Sequence, residues 1–112
     1  MPDRPEILEG KTYKVATYCG SMYITINDTE NTIAYEIFVT LGKAGGCAKA
    51  MTEVIGRLTS NWLQQEGEAD ALADAMRGIN CNGQKSCAHH IGECLRNHKK
   101  LVLEERTKKC PS

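Results

Sequence analysis

Three runs of alternating residues between Thr12 and Thr40 limit what this chain can fold into more than any other feature. Thr12–Tyr18 is rich in β-branched and aromatic residues, Met22–Asn27 alternates apolar with polar, and Thr32–Thr40 does so again. Period two is the signature of strands with one buried face. The breaks are short: Cys19-Gly20, then the polar stretch Asp28–Asn31. Strands joined this closely pair antiparallel with their neighbours, so the three form a meander. Alternation puts Met22, Ile24 and Ile26 on one face, and Ile33, Tyr35, Ile37 and Val39 on the matching face of the third strand. Tyr23, Thr25, Glu36 and Phe38 fall on the other face. Two aromatics on an open sheet face suit a subunit interface or a stacking surface.

Beyond the third strand the texture changes. Leu41-Gly42-Lys43-Ala44-Gly45-Gly46 is a glycine-rich break that feeds a helix with Ala48, Met51, Ile55, Leu58 and Trp62 at helical spacing and Val54 beside them. These read as its core stripe, and Gly67 ends it. Glu68–Met76 reads as a second helix with Leu72, Ala75 and Met76 as its apolar face, stopped by Gly78. Residues 79–86 read as a loop. A third helix starts near Ser86, a good N-cap, and carries Ile91, Cys94, Leu95, His98 and Val102 as its stripe. The expected fold class is α+β: a three-stranded antiparallel β-meander followed by about three α-helices packed on one face. At 112 residues this is one domain, with residues 1–10 as an arm and residues 106–112 as a basic tail.

Fourteen basic and fourteen acidic side chains give zero formal net charge. A general DNA or membrane-surface binder carries a basic excess, so neither partner is expected, whereas self-association is little opposed. No apolar run approaches the ~20 residues of a membrane span. Residues 1–10 lack the apolar centre of a signal peptide, so a cytoplasmic location is expected. In that compartment six cysteines point to reduced, metal-bound or redox-active thiols rather than to a disulfide framework.

Three places offer chemistry. The turn Gly42-Lys43-Ala44-Gly45-Gly46-Cys47 joins a strand to a helix start, where free amides and the helix dipole favour an anion and Lys43 adds charge. Its spacing fits neither the P-loop nor the dinucleotide fingerprint, and tight packing of Gly45 and Gly46 explains the glycines equally well. The cysteines are the second place. A zinc site from Cys19, Cys81, Cys87 and one further group is conceivable, but close CxxC pairs are lacking, and Cys94 in an apolar stripe acts as a small hydrophobe. The third is His89-His90 with Lys85, Arg96 and Arg57. No nucleophile–base–acid set accompanies it, so a solvated surface pair and no catalysis are expected.

The order Tyr23-Ile24-Thr25-Ile26-Asn27, Glu36-Ile37-Phe38-Val39, Leu41–Ala48, Ile55-Gly56-Arg57-Leu58, Arg77-Gly78-Ile79-Asn80-Cys81 and Ser86-Cys87-Ala88 resembles the TSCPD domain found near the C-terminus of vitamin B12-dependent ribonucleotide reductases. The resemblance spans about Thr12 to Leu103. The Thr-Ser-Cys-Pro-Asp motif of that family is altered here to Lys85-Ser86-Cys87-Ala88-His89. The reductase's radical-generating barrel, cobalamin site and terminal CxxC pair have no counterpart, so the resemblance implies a binding or assembly unit. In size and element order the chain also resembles the anti-Thoeris sponge proteins of phages. These bind cyclic ADP-ribose-type immune signals without cleaving them, as oligomers with pockets between subunits.

That resemblance implies a non-enzymatic protein that sequesters a cyclic ADP-ribose-type or cyclic oligonucleotide signal and blocks bacterial anti-phage defence, as a homo-oligomer and without a cofactor or metal. Such a protein needs cationic or amide donors for a pyrophosphate and a ring for the base. The available stock is Arg57, Lys43, Gly45, Gly46, Tyr23, Phe38, Arg77, Arg96 and Arg106, with Arg57 first because it lies off the core stripe of its helix. Two other readings stand beside it: an accessory or regulatory module of ribonucleotide reductase, and a small zinc-stabilised structural protein.

Overall fold

The computed structural model describes residues 6–17, 20–42, 46–81 and 83–109, with the side chains at 46–48, 81 and 109 outside that description. Strands β1 (Glu9–Thr17), β2 (Gly20–Asp28) and β3 (Glu36–Leu41) form one antiparallel sheet in the order β1-β2-β3. Helices α1 (Gly46–Gln64), α2 (Ala69–Met76) and α3 (Cys87–Lys109) follow. Between α2 and α3 a two-stranded ribbon, β4 (Asn80–Cys81) with β5 (Gln84–Lys85), occupies the stretch expected as a loop. The α+β class and the meander-then-helices order are as the sequence predicts. Among the described residues no helix is long and apolar enough to cross a membrane.

The inner sheet face follows the period-two reading. Met22, Ile24 and Ile26 are fully buried, and Ile37, Val39 and Leu41 join them across the β2–β3 register, in which Ile26 faces Ile37 and Ile24 faces Val39. On α3 the whole expected stripe is buried: Ile91, Cys94, Leu95, His98 and Val102.

Several boundaries shift, each for a local reason. β1 begins inside the expected arm, because Glu9 and Gly10 pair with Asp28 and Asn27. β3 begins at Glu36 rather than Thr32. Asp28 accepts a hydrogen bond from the buried Ala34 N–H at 2.7 Å, and Ala34 takes φ 63°, which turns the chain and resets its alternation. Tyr35 and Ile33 are therefore only half-buried. Glu36, assigned to the open face, is buried and accepts from Asn27 Nδ2 at 2.9 Å. On α2 the buried face is Ala69, Ala73 and Met76, with Leu72 half-buried and Ala75 exposed. α3 continues through Arg106 to Lys109, so the tail expected from 106 is helical for its first four residues.

The largest departure is the orientation of α1. This helix runs along the free edge of β3. Ser60 Oγ accepts from Ile37 N and donates to Ile37 O, both at 2.9 Å, closing hydrogen bonds that an edge strand otherwise exposes. One turn earlier, a β-carbon at Gly56 would stand 3.4 Å from Val39 Cγ2. The residues turned inward are Thr52, Gly56, Thr59 and Leu63, at helical spacing but mostly small or hydroxylic. Among the described side chains of the expected core stripe only Ile55 packs against the core; Met51, Leu58 and Trp62 face outward, with Val54, and the Ala48 side chain lies outside the described residues. Small residues let the helix backbone reach the strand edge, and the bulky ones are left outside.

The end of α1 is a Schellman turn. Gly67 N–H bonds to Trp62 O and Glu66 N–H to Leu63 O, with Glu66 at φ 64°. Gly67 is required for a different reason: the Trp62 indole lies over it, and a β-carbon there would meet Trp62 Cε2 at 2.4 Å. Where α2 and α3 cross, Gly92 is equally constrained, because a β-carbon would stand 2.9 Å from Ala73 O.

Candidate functional site

Two regions have the shape of a site. The first is the outer face of the sheet beside the start of α1. Tyr23 and Phe38 are both exposed there. Tyr23 pairs with Thr40 and Phe38 with Thr25, so the two rings lie on diagonal positions of adjacent strands, ~7–8 Å apart at Cα. Lys14, paired with Tyr23 across β1–β2, holds its ammonium 6.0 Å from the Tyr23 ring centroid, a cation–π distance. At its other end the Tyr23 ring reaches Gly42: a β-carbon there would be 3.5 Å from Tyr23 Cε2. The aromatic platform thus abuts the strand end from which the glycine-rich turn departs. Thr12 and Thr25, hydrogen-bonded through their hydroxyls at 2.8 Å, continue the face towards Phe38.

Of the residues expected to bind ligand, Lys43 and Gly45 lie outside the described residues. Gly46 is the first residue of α1, as expected for a helix-start amide. Arg57 is exposed and makes no hydrogen bond or ion pair among the described residues. The other three arginines are engaged within the protein. Arg77 Nε lies 2.6 Å from Glu93 Oε1, with Asp74 at 3.7 Å. Arg96 pairs with Asp74 and reaches Asp70 O. Arg106 donates to Thr29 O at 2.6 Å and Glu30 O at 3.1 Å, which pins the β2–β3 loop to α3.

The second region is a groove of about 810 Å³ at the end of the sheet, lined by residues 7–11 and 28–31, with Val102, Glu105 and Arg106. Lys11 is paired with Glu105 at 3.0 Å, and Arg106 is spent on carbonyls. Glu9, Asp28 and Glu30 also line it. An anion therefore meets more negative than positive groups there, so this groove is not the anion-binding candidate.

Behind this groove lies a network that sequence reasoning missed. His98 is fully buried; its Nε2 is 2.8 Å from Asp28 Oδ1 and its Nδ1 is 2.7 Å from Tyr13 Oη. An ionised carboxylate only accepts, so Nε2 carries the proton. In neutral His98, Nδ1 is then the acceptor and Tyr13 donates. Burial, with Cys94, Asp28 and Glu105 adding to it, pushes the Tyr13 phenol up to about 12, which keeps it a donor. Asp28, His98 and Tyr13 come from β2, α3 and β1, so the network joins three elements. The signal available in sequence was His98 inside an apolar stripe, a position where a polar ring requires partners.

The histidine pair and the cysteines also differ from expectation. His89 is not a solvated surface residue: it is buried, and its Nδ1 accepts from Gly78 N at 2.9 Å, which fixes a turn at φ 81°. Ser86 Oγ accepts from His89 N at 3.1 Å, the expected N-cap of α3. His90 is held below the usual histidine range, mainly by burial and also by His89 and Lys85. Cys87 turns towards Thr17 Oγ1 at 3.7 Å. Cys94 is buried, and burial pushes its thiol up to about 12, so it is an inert hydrophobe as expected. Cys19, Cys110 and the side chains of Cys47 and Cys81 lie outside the described residues. Among the described residues no three or more His, Cys, Asp or Glu side chains gather as a metal site.

The fold and the outer face define a small α+β domain with an exposed aromatic pair on its sheet. The chain matches the TSCPD domain family over residues 1–99, and it belongs to that family. It matches no curated protein and no solved structure.

Proposed function

We infer that this chain binds a nucleotide-type immune signal, a cyclic ADP-ribose isomer or a cyclic oligonucleotide, without turning it over, and so withholds it from the bacterial defence that it drives. The observation that carries this reading is the Tyr23–Phe38 platform beside the start of α1, with Arg57 the described arginine left without a protein partner. A base stacks on an exposed ring with a gain of ~1–3 kcal/mol. Lys14 at the Tyr23 ring, the Gly46 amide and the Arg57 guanidinium supply positive groups for phosphate. The engagement of Arg77, Arg96 and Arg106 within the protein leaves Arg57 as the first donor. The protein acts in the cytoplasm, where such a signal is made. Membership of the TSCPD family favours a second reading, an accessory module acting on a ribonucleotide reductase.

Calorimetric titration with cyclic ADP-ribose isomers tests the assignment. A desolvated arginine–phosphate contact is worth ~2–5 kcal/mol, so Arg57→Ala weakens binding by at least about thirtyfold. Arg57→Lys restores part of it, since an ammonium lacks the planar two-point contact. The unliganded melting temperature stays within about 2 °C, because the side chain is exposed. Equal affinities for all three proteins refute this placement of the ligand, and stimulation or inhibition of a reductase with no ligand uptake favours the second reading.

A further inference from the structure

On the reading that the outer sheet face stacks a nucleotide base, we propose that Thr40 is a specificity determinant of that face. Its hydroxyl holds a hydroxyl of the ribose whose base lies on Phe38, so the chain takes ribonucleotide ligands in preference to deoxy ones.

The strand registers set two rows side by side on the outer face. Lys14, Tyr23 and Thr40 pair across the sheet in one row, and Thr12, Thr25 and Phe38 in the next. Rings and hydroxyls therefore alternate as on a chequerboard. Thr25 and Thr40 occupy the corners between the rings, each directly across from one ring and two residues along its own strand from the other. The two corners are not equivalent. Thr25 is half-buried, and its hydroxyl is bonded to that of Thr12 at 2.8 Å. Thr40 is exposed, and its hydroxyl has no protein partner among the described residues. A hydroxyl in that state both donates and accepts, which is what a ribose hydroxyl requires of its partner.

Position along the strand adds a direction. Phe38, Thr40 and Gly42 follow one another at two-residue steps of ~6.8 Å. Gly42 N–H still bonds to Ser21 O at 2.7 Å, so the pairing extends past the end of β3 towards the start of α1. Glycine at 42 keeps the way from Thr40 to that helix start clear of a side chain. Base, ribose and phosphate succeed one another in a nucleotide in the order in which ring, hydroxyl and helix start succeed one another here. A base on Phe38 with its phosphate at the α1 amides therefore sets its ribose over Thr40.

Calorimetric titration of the full chain with cyclic ADP-ribose isomers and with their 2′-deoxy and 3′-deoxy analogues at the adenosine ribose tests this, with circular dichroism to confirm folding. The wild-type chain binds the parent about three- to tenfold more tightly than at least one deoxy analogue, the worth of one hydrogen bond. Thr40→Val keeps the β-branched shape that suits a strand and removes the hydroxyl. It weakens the parent by about the same factor and leaves that analogue unchanged, so the preference disappears. Thr40→Ser restores parent affinity to within about twofold. A wild-type chain indifferent to the ribose hydroxyls, a preference that survives in Thr40→Val, or an equal loss of parent and analogues overturns the role of Thr40 and leaves the stacking face standing. No uptake of any isomer by the wild-type chain overturns the stacking face itself, and the role of Thr40 with it.

Discussion

Replacing Asp28 by alanine tests whether the buried Asp28–His98–Tyr13 network holds β1, β2 and α3 together. The Asp28 carboxylate accepts from His98 Nε2 at 2.8 Å and from Ala34 N at 2.7 Å. Alanine strands both donors, and a buried donor without a partner costs ~1–3 kcal/mol. The two costs differ. Asp28 borders the end groove, so water entering there partly satisfies the Ala34 amide, whereas His98 has no exposed surface. The expected loss is about 3 kcal/mol, a large part of the ~5–15 kcal/mol that stabilises a domain. It lowers the melting temperature by roughly 10–20 °C. Asparagine at this position behaves differently. Its amide oxygen still accepts from Ala34, and its NH₂ donates to Nε2 if the imidazole proton moves to Nδ1 and Tyr13 turns acceptor. Asp28→Asn therefore costs only about 1 kcal/mol, as does Tyr13→Phe, which removes one half-buried hydroxyl. Urea denaturation followed by circular dichroism measures all three. An Asp28→Ala variant no less stable than Asp28→Asn refutes the reasoning, because the stranded donors would then carry no cost.

Two further outcomes follow from local geometry and burial. Glu66→Gly stabilises the chain by about 0.5–1 kcal/mol, since φ 64° at the end of α1 suits glycine and strains glutamate; a melting temperature that falls contradicts the Schellman assignment. At high pH stability declines from pH 9 towards 12, because the unfolded Cys94 thiol ionises near 9.0 while the folded one keeps its proton to about 12, and Tyr13 adds to the loss from pH 10 upward. Cys94→Ala flattens the early part of that decline in melting temperature against pH; a parallel curve removes Cys94 as its cause.

How far the fold is legible in the sequence depends on what each pattern encodes. Period two in Met22–Ile26 and Ile37–Val39 reports a buried sheet face directly, because alternate side chains point to opposite sides whatever covers them. Tyr35 and Ile33 fall out of phase because Ala34 adopts a left-handed conformation held by Asp28, a bond between residues six apart that alternation does not encode. In α1 the apolar period is read correctly as a helix and wrongly as its core face. Hydrophobicity marks surface that avoids water without naming the partner. The true contact face, Thr52–Gly56–Thr59–Leu63, has the same period written in small residues, and close backbone approach was its available signal. At the candidate site, Tyr23 and Phe38 are legible as outward aromatics. The engagement of Arg77, Arg96 and Arg106 is not, because their partners are set by how α2, α3 and the β2–β3 loop pack.

The central claim is that the chain holds a cyclic nucleotide signal intact. Incubating it with cyclic ADP-ribose isomers, removing free ligand, denaturing by heat and analysing the released material by mass spectrometry tests that directly. The account predicts recovery of unmodified ligand in near-stoichiometric amount, reduced to background in Arg57→Ala. Release of a linear or hydrolysed product contradicts it by making the protein an enzyme, and no uptake of any isomer contradicts the binding itself.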